Sequence, residues 1–393
     1  MQVGKPERVV GMKMSQKVYL SVDCGFDKFK CCINDSCVAF SSKMIDVSKS
    51  INALSVGDGN NTYIEYEGVT YEFGDSIDQV LNMQSSLQTY SEFLDAFRNI
   101  NRFKDRTFYI SLLAAIGYSI ITYDNNSIQE KDVDKHIFRN LDKTQFNIGI
   151  ALPYDSMNEW PQIKAFLKQR HQFRIRKGSK ACTFDFDLDL TNANFLCNAQ
   201  VITAFLFQAA SSDGSLSIDK KCLPCIMMDA GYKTVGLFEL AENLMINPHT
   251  ALSDTKHAMF NVDQVVAEKV REAGRKDLHY LQVQYHARGE GKPTVRSNKT
   301  VIDVKDIYEK VLAEEAYNLC LLLEEKYSLD DVENIFITGG TGIAYYKHIK
   351  KYMDEHHGLT KVVLTDRADD GTKVSPMYAI VIGLHKQLKN RYK

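Results

Sequence analysis

The chain has 393 residues, of which 44% are hydrophobic, 10% aromatic and 25% charged, with a formal net charge of −2. That length exceeds what one hydrophobic core usually organises, so two domains are expected. The near-neutral balance excludes a broad basic surface for direct nucleic-acid binding, no apolar run suits a membrane helix, and the N-terminus lacks a secretory core. Nine cysteines without such a signal point to a reducing, cytoplasmic setting.

Residues 1–16 (MQVGKPERVVGMKMSQ) are polar and aperiodic and read as a flexible tail. From Lys17, KVYLSVD alternates as a strand does, and a turn at Gly25 followed by FKCCIN completes a hairpin. TYIEYEGVTYEFGD, residues 62–75, forms a second hairpin pattern with Glu67 and Gly68 at its turn. SEFLDAF and FYISLLAAIGYSII carry apolar residues at helical spacing. NIGIALP, residues 147–153, is a buried strand stopped by Pro153. A basic, sheet-like stretch runs from Phe166 to Leu190, and NANFLCNAQVITAFLFQAA leads into an apolar helix carrying Gln200.

Farther on, LPCIMM and VGLFEL flank another glycine turn as a hairpin. Helical patterns over DQVVAEKVREA and DVKDIYEKVLAEEAYNLCLLLEEKY follow. NIFIT is a strand, IAYYKHIKKYMDE a helix and KVVLT a parallel-type strand. SPMYAIVIGLHKQLK is a closing helix with Ser375 as N-cap and Pro376 at its first position. Cys222 and Cys225 make a C-x-x-C pair, but no second pair answers them. They are read, like Cys31 and Cys32, as strand residues.

Three glycine turns carry the chemistry: VDCGFDKFK (22–30), MDAGYKT (228–234) and ITGGTG (337–342). Each follows an apolar strand, and glycine removes the Cβ that would hold the backbone away from a phosphate or nucleoside. Asp23 and Asp229 end equivalent strands. A carboxylate beside a polyphosphate repels it unless a cation intervenes, so the pair points to magnesium held largely through its waters. Lys30 sits on the returning strand with its ammonium available to phosphates, and Thr234 adds a hydroxyl at the second turn.

This set, in this order, resembles the actin-like ATPase superfamily from Lys17 to nearly the end of the chain. VDCGFDKFK is similar to the first phosphate loop, with Asp23, Gly25 and Lys30 at the family positions. MDAGYKT is similar to the second phosphate loop, with Gly231 and Thr234. ITGGTG is similar to the adenosine motif, which places Gly339, Gly340 and Thr341 against the nucleoside. QVITAFLFQAASSDG resembles the first connecting helix and puts Gln200 at the catalytic position. SPMYAIVIGL resembles the second, with Ala379 and Gly383 as small residues at the crossing. YEFGD, FKDRTFYISLLAAIGY and NIGIALPYDSMNEW resemble the ParM-type plasmid-segregation actins more loosely. Two pairs depart from the family pattern: Phe26-Asp27 in the first loop and Tyr232-Lys233 in the second.

The resemblance implies an α/β, actin-like, duplicated ribonuclease H-like fold of two domains with a nucleotide cleft between them. Domain I would comprise 17–199 plus 375–393, and domain II 200–374. It implies ATP and Mg²⁺ as cofactors, Asp23 and Asp229 organising the metal, and Gln200 orienting the attacking water. Phosphoryl transfer of this kind rests on positioning and electrostatics, not a covalent nucleophile. It further implies head-to-tail filaments, an open polymer where a heterologous contact does not close. A separate DNA-binding adaptor on a plasmid centromere would make the link to DNA, with no membrane partner. The same fold also hosts small-molecule kinases, for which Asp155 is the candidate base, and non-hydrolysing nucleotide-dependent adaptors.

Overall fold

A computed structural model describes residues 9–12, 17–47, 61–75, 77, 102–125, 135–139, 144–177, 182–216, 222–243, 245, 247, 249–274, 278–288, 291–297, 300–358, 361–368 and 371–393. The expected SEFLDAF helix lies outside them, as does most of the N-terminal segment. Val9–Met12, assigned to the tail above, is a strand, β1. Four residues are too few to show a period, and their register comes from a distant partner strand.

The first half is built on β2 (Lys17–Cys24), β3 (Lys28–Ile33) and β4 (Ser36–Ser41), an antiparallel meander. β5 (Met44–Asp46), β6 (Thr62–Tyr66) and β7 (Val69–Phe73) follow, then helix α1 (Arg106–Asn125). β8 (Lys135–Arg139) precedes β9 (Gln145–Leu152), helix α2 (Trp160–Leu167), β10 (Arg170–Lys177), β11 (Cys182–Asp189) and β12 (Asn194–Ala199). One five-stranded sheet runs β12-β9-β2-β3-β4. β9 is parallel to β2, and β12 is parallel to β9. A seven-stranded sheet, β1-β8-β11-β10-β6-β7-β5, stands beside it, with β1 parallel to β8.

The second half repeats that plan. Helix α3 (Gln200–Ala209) leads to β13 (Cys225–Ala230), β14 (Val235–Leu240) and β15 (Leu252–Asp254), again an antiparallel meander. Helix α4 (Met259–Glu272), the hairpin β16 (Thr294–Ser297) with β17 (Thr300–Asp303), and helix α5 (Val304–Lys326) come next. The chain then forms β18 (Asn334–Thr338), α6 (Gly342–His356), β19 (Lys361–Leu364) and α7 (Ala379–Arg391). The sheet order is β15-β14-β13-β18-β19, with β18 parallel to β13 and β19 parallel to β18. Both five-stranded sheets therefore share one pattern, a three-strand meander extended by two parallel strands. That is the duplication the family resemblance implies.

Local chemistry explains the element ends. Asp303 caps α5, its side chain accepting from Asp306 N at 2.9 Å. The buried residues of that helix, Tyr308, Val311, Leu312, Leu319 and Leu323 among them, keep the three-and-four spacing of one buried face. Ser375 stands at the N-cap of the 3-10 turn Pro376–Tyr378 without a side-chain cap bond, so Pro376 is the stronger start signal.

Helices α3 and α7 fill the layer between the two five-stranded sheets. Ala204, Phe205, Leu384 and Leu388 share a buried cluster with Ala151 of one sheet and Met227, Phe238 and Phe336 of the other. Burying one such leucine or phenylalanine is worth roughly 1.5–3 kcal/mol. A Cβ on Gly383 would lie 1.8 Å from Thr203 O, so the two backbones cross in contact and only glycine fits. Lys386, 5% exposed, donates from Nζ to Phe207 O at 3.1 Å and Ala210 O at 2.5 Å. Its ammonium thus satisfies carbonyls at the C-terminus of α3 and complements the helix dipole.

The cysteines bring one correction. Cys31 and Cys32 are strand residues as expected, but Cys32 and Cys37 are joined as a disulfide. They face each other in the β3–β4 register because Asn34 and Asp35, both at positive φ (43° and 73°), make a two-residue hairpin turn. Cys225 lies buried in β13 and its thiol is pushed up to about 12 by burial. It is a core residue, not a reactive one.

Candidate functional site

The first turn follows from the end of β2. Val18, Leu20 and Val22 are fully buried, and the strand carries Asp23 inward with no exposure at all. An ionised carboxylate held there needs partners. Lys30 lies directly opposite in the antiparallel register and donates from Nζ to Asp23 Oδ2 at 2.9 Å. Burial acts to lower the Lys30 ammonium, but Asp23, with Asp229 and Asp27 beyond it, outweighs that and raises the group. A Cβ on Gly25 would sit 2.3 Å from Lys28 O and 3.0 Å from Lys30 Nζ, so this position takes only glycine.

Arg102 pins the same turn from outside the motif. It donates from Nη1 to Gly25 O at 2.9 Å and from Nη2 to Cys24 O. Its burial lowers the guanidinium to about 10, against the raising influence of Cys24 and Asp23. Ser42 N also donates to Asp27 O at 2.9 Å.

The second turn repeats the geometry at the end of β13. Asp229 is 9% exposed, and Gly231 N donates to Thr234 O at 2.9 Å. The third turn closes against the second. Gly339 has φ +88°, and a Cβ there would meet Ala230 O at 2.4 Å and Asp229 Oδ1 at 2.7 Å. Thr341 Oγ1 donates to Ala230 O and to Gly231 O. Thr338 Oγ1 donates to Pro376 O at 3.2 Å and ties this turn to the start of α7.

Gln200 is the first residue of α3, 8% exposed, and its Nε2 donates to Asp23 Oδ1 at 2.6 Å. Burial first, and then the Asp23 charge, push Asp229 up to about 7, with Lys30 opposing. Two carboxylates from separate sheets thus line one cavity, and the charge of one disfavours ionisation of the other. That is an environment a hard divalent cation relieves, and a pair of oxygen donors completed by water suits magnesium. Among the described residues no group of three or more His, Cys, Asp or Glu forms a metal cage.

The three turns and Gln200 line one cavity of about 420 Å³. It gathers the ten residues nominated for nucleotide and metal: Asp23, Gly25, Lys30, Gln200, Asp229, Gly231, Thr234, Gly339, Gly340 and Thr341. Phe26, Asp27, Lys28, Tyr232, Gln284, Arg288, Met377 and Ile380 complete the wall. Gln284 and Arg288 were not nominated, because an isolated Gln or Arg between helical segments carries no motif. Arg102 was missed for the same reason. Asp155 is exposed on the turn after Pro153 and does not line the cavity.

Residues 21–187 match the family described as actin-like proteins, N-terminal domain. The whole chain is similar in structure to a 15-stranded ParM filament from Clostridium botulinum, with TM-score 0.66 and 15% identity over 96% of this chain and 99% of that one. A non-polymerisable quadruple mutant of pCBH ParM gives TM-score 0.66 and 16% identity over 94% and 98%. Actin-like protein Alp7A gives TM-score 0.63 and 14% identity over 98% and 97%. No curated protein matches the sequence.

Proposed function

The chain is an actin-like protein in fold, and from that premise we propose that it binds ATP with magnesium in the cleft, hydrolyses it, and uses the cycle to assemble filaments that segregate plasmid DNA. The observation that carries this reading is the convergence of three separate glycine turns and two opposed aspartates on one cavity. Filaments are named for structural relatives of this chain, which supports self-association.

Asp23 and Asp229 would hold the cation, largely through its waters. When bound, magnesium supplies charge neutralisation at the phosphates. Lys30 adds a half-buried ammonium, and the backbone N–H groups of the glycine turns add donors at close range. Gln200 is held in the cavity by its bond to Asp23 and has an amide oxygen to orient a water. These parts amount to positioning and electrostatic stabilisation. A cytoplasmic location, a head-to-tail contact with a second copy and a DNA-binding adaptor belong to the same proposal.

Light scattering and negative-stain microscopy after adding ATP and magnesium, with phosphate release followed in parallel, test it. Filaments that form and then decay as phosphate appears are expected. A monomer that phosphorylates an added sugar or acid would favour a kinase instead, although Asp155, its candidate base, stands outside the cavity. A nucleotide-bound monomer without turnover would overturn the filament reading.

A further inference from the structure

The two pairs that depart from the loop pattern, Phe26-Asp27 and Tyr232-Lys233, meet each other. The Lys233 ammonium lies 5.5 Å from the centre of the Phe26 ring, within cation–π range. The same ammonium is 5.3 Å from the centre of the Phe260 ring. Phe26 is covered in turn by Arg102, whose guanidinium carbon is 3.9 Å from the ring centre. These contacts link Arg102, Phe26, Lys233 and Phe260 in a chain between the first phosphate turn and the second.

Each end is anchored. Arg102 holds the first turn through Gly25 O, and Phe260 N donates to Tyr232 O at 2.8 Å beside an edge-on Tyr232–Phe260 contact at 5.9 Å. Asp27 pairs with Lys43 at 3.3 Å and feels the charge of Arg288, which is bound to Asp263 at 2.5 Å. Burial acts to raise Asp27, but Lys43, Lys28 and Arg288 together outweigh it and lower the carboxyl. Phe26, Asp27 and Arg288 all line the cavity wall.

We propose that Phe26 and Lys233 form a clasp that joins the two phosphate turns and sets how long the cleft stays closed on its nucleotide. The inference rests on the nucleotide reading for its consequence, not for its geometry. Small residues at these places would leave the turns joined only through what lies between them. The bulky ring and the long cation give the wall a contact of its own.

Hydrogen–deuterium exchange on the nucleotide-free full chain tests the clasp directly. Either Phe26→Ala or Lys233→Ala should speed exchange in both turns, 22–30 and 228–234, and Lys233→Arg should restore the wild-type rates. Acceleration confined to the substituted turn, or no change in either, would overturn the proposal. In parallel, release of a fluorescent ATP analogue with magnesium should be about two- to fivefold faster in Lys233→Ala, the factor one exposed cation–π contact supplies. An unchanged release rate also counts against it. Should the wild-type chain bind no nucleotide, the ATPase reading fails, while the exchange result still decides the clasp.

Discussion

Gln200 Nε2 and Asp23 Oδ1 stand 2.6 Å apart although 177 positions separate them in the chain. The bond joins the start of α3 to the end of β2, and both residues line the cavity.

Gln200→Ala is therefore expected to keep nucleotide and lose turnover. Loss of one preorganised polar group from a transfer site commonly costs on the order of 10²-fold in rate. Phosphate release measured beside nucleotide affinity separates the two effects. Equal turnover in variant and wild type would remove Gln200 from the mechanism.

Asp229→Ala addresses the metal. Asp229 sits at the end of β13 with its ionised form disfavoured by burial and by Asp23. Its loss should weaken ATP binding in the presence of magnesium and leave the magnesium-free affinity nearly level. Titration calorimetry with and without the ion reads the difference, and an unchanged affinity with magnesium present counts against the assignment.

Gly339→Ala should destabilise the chain by about 1–3 kcal/mol, since it forces a side chain into a left-handed conformation against a packed backbone. The contact it would make is with Ala230 O, 2.4 Å from the added carbon. A lower calorimetric melting temperature together with weaker nucleotide binding is the expected pair of results. Gly383→Ala should lower the melting temperature too, because its Cβ would enter the α3 backbone at Thr203.

His257 makes the fold pH-sensitive away from the cleft. Its hydrogen bond to Asp254, at 2.8 Å, is the largest influence on it; burial opposes, and the charges of Asp254 and Glu315 add to the raised pKa. A histidine raised in the folded state contributes stability that is complete below its ordinary value of 6.5 and is lost as pH rises through the folded value. Thermal unfolding followed from pH 6 to about 9 should show that decline, and His257→Gln should flatten it. An identical slope in the variant would show that the pair does not report on folding.

Most of the strands and helices were legible because their signals are local. KVYLSVD alternates, the α5 segment repeats every three or four residues, and Pro153 and Pro376 punctuate. The three glycine turns were legible for the same reason, since backbone approach to a phosphate demands glycine at the turn itself. β1 and the Cys32–Cys37 pair were not, because a short edge strand and a cross-strand bond depend on which partner arrives.

The sequence by itself determined most of the order of elements, the three glycine turns and the polar residues they carry. Only the tertiary structure decided that Asp23, Gln200 and Asp229 share one cavity, that Arg102 holds the first turn from 77 positions away, and that Phe26 meets Lys233. Propensity and periodicity act over a few residues, whereas these contacts arise when two sheets close on α3 and α7. Their distances follow from packing, which no local pattern encodes.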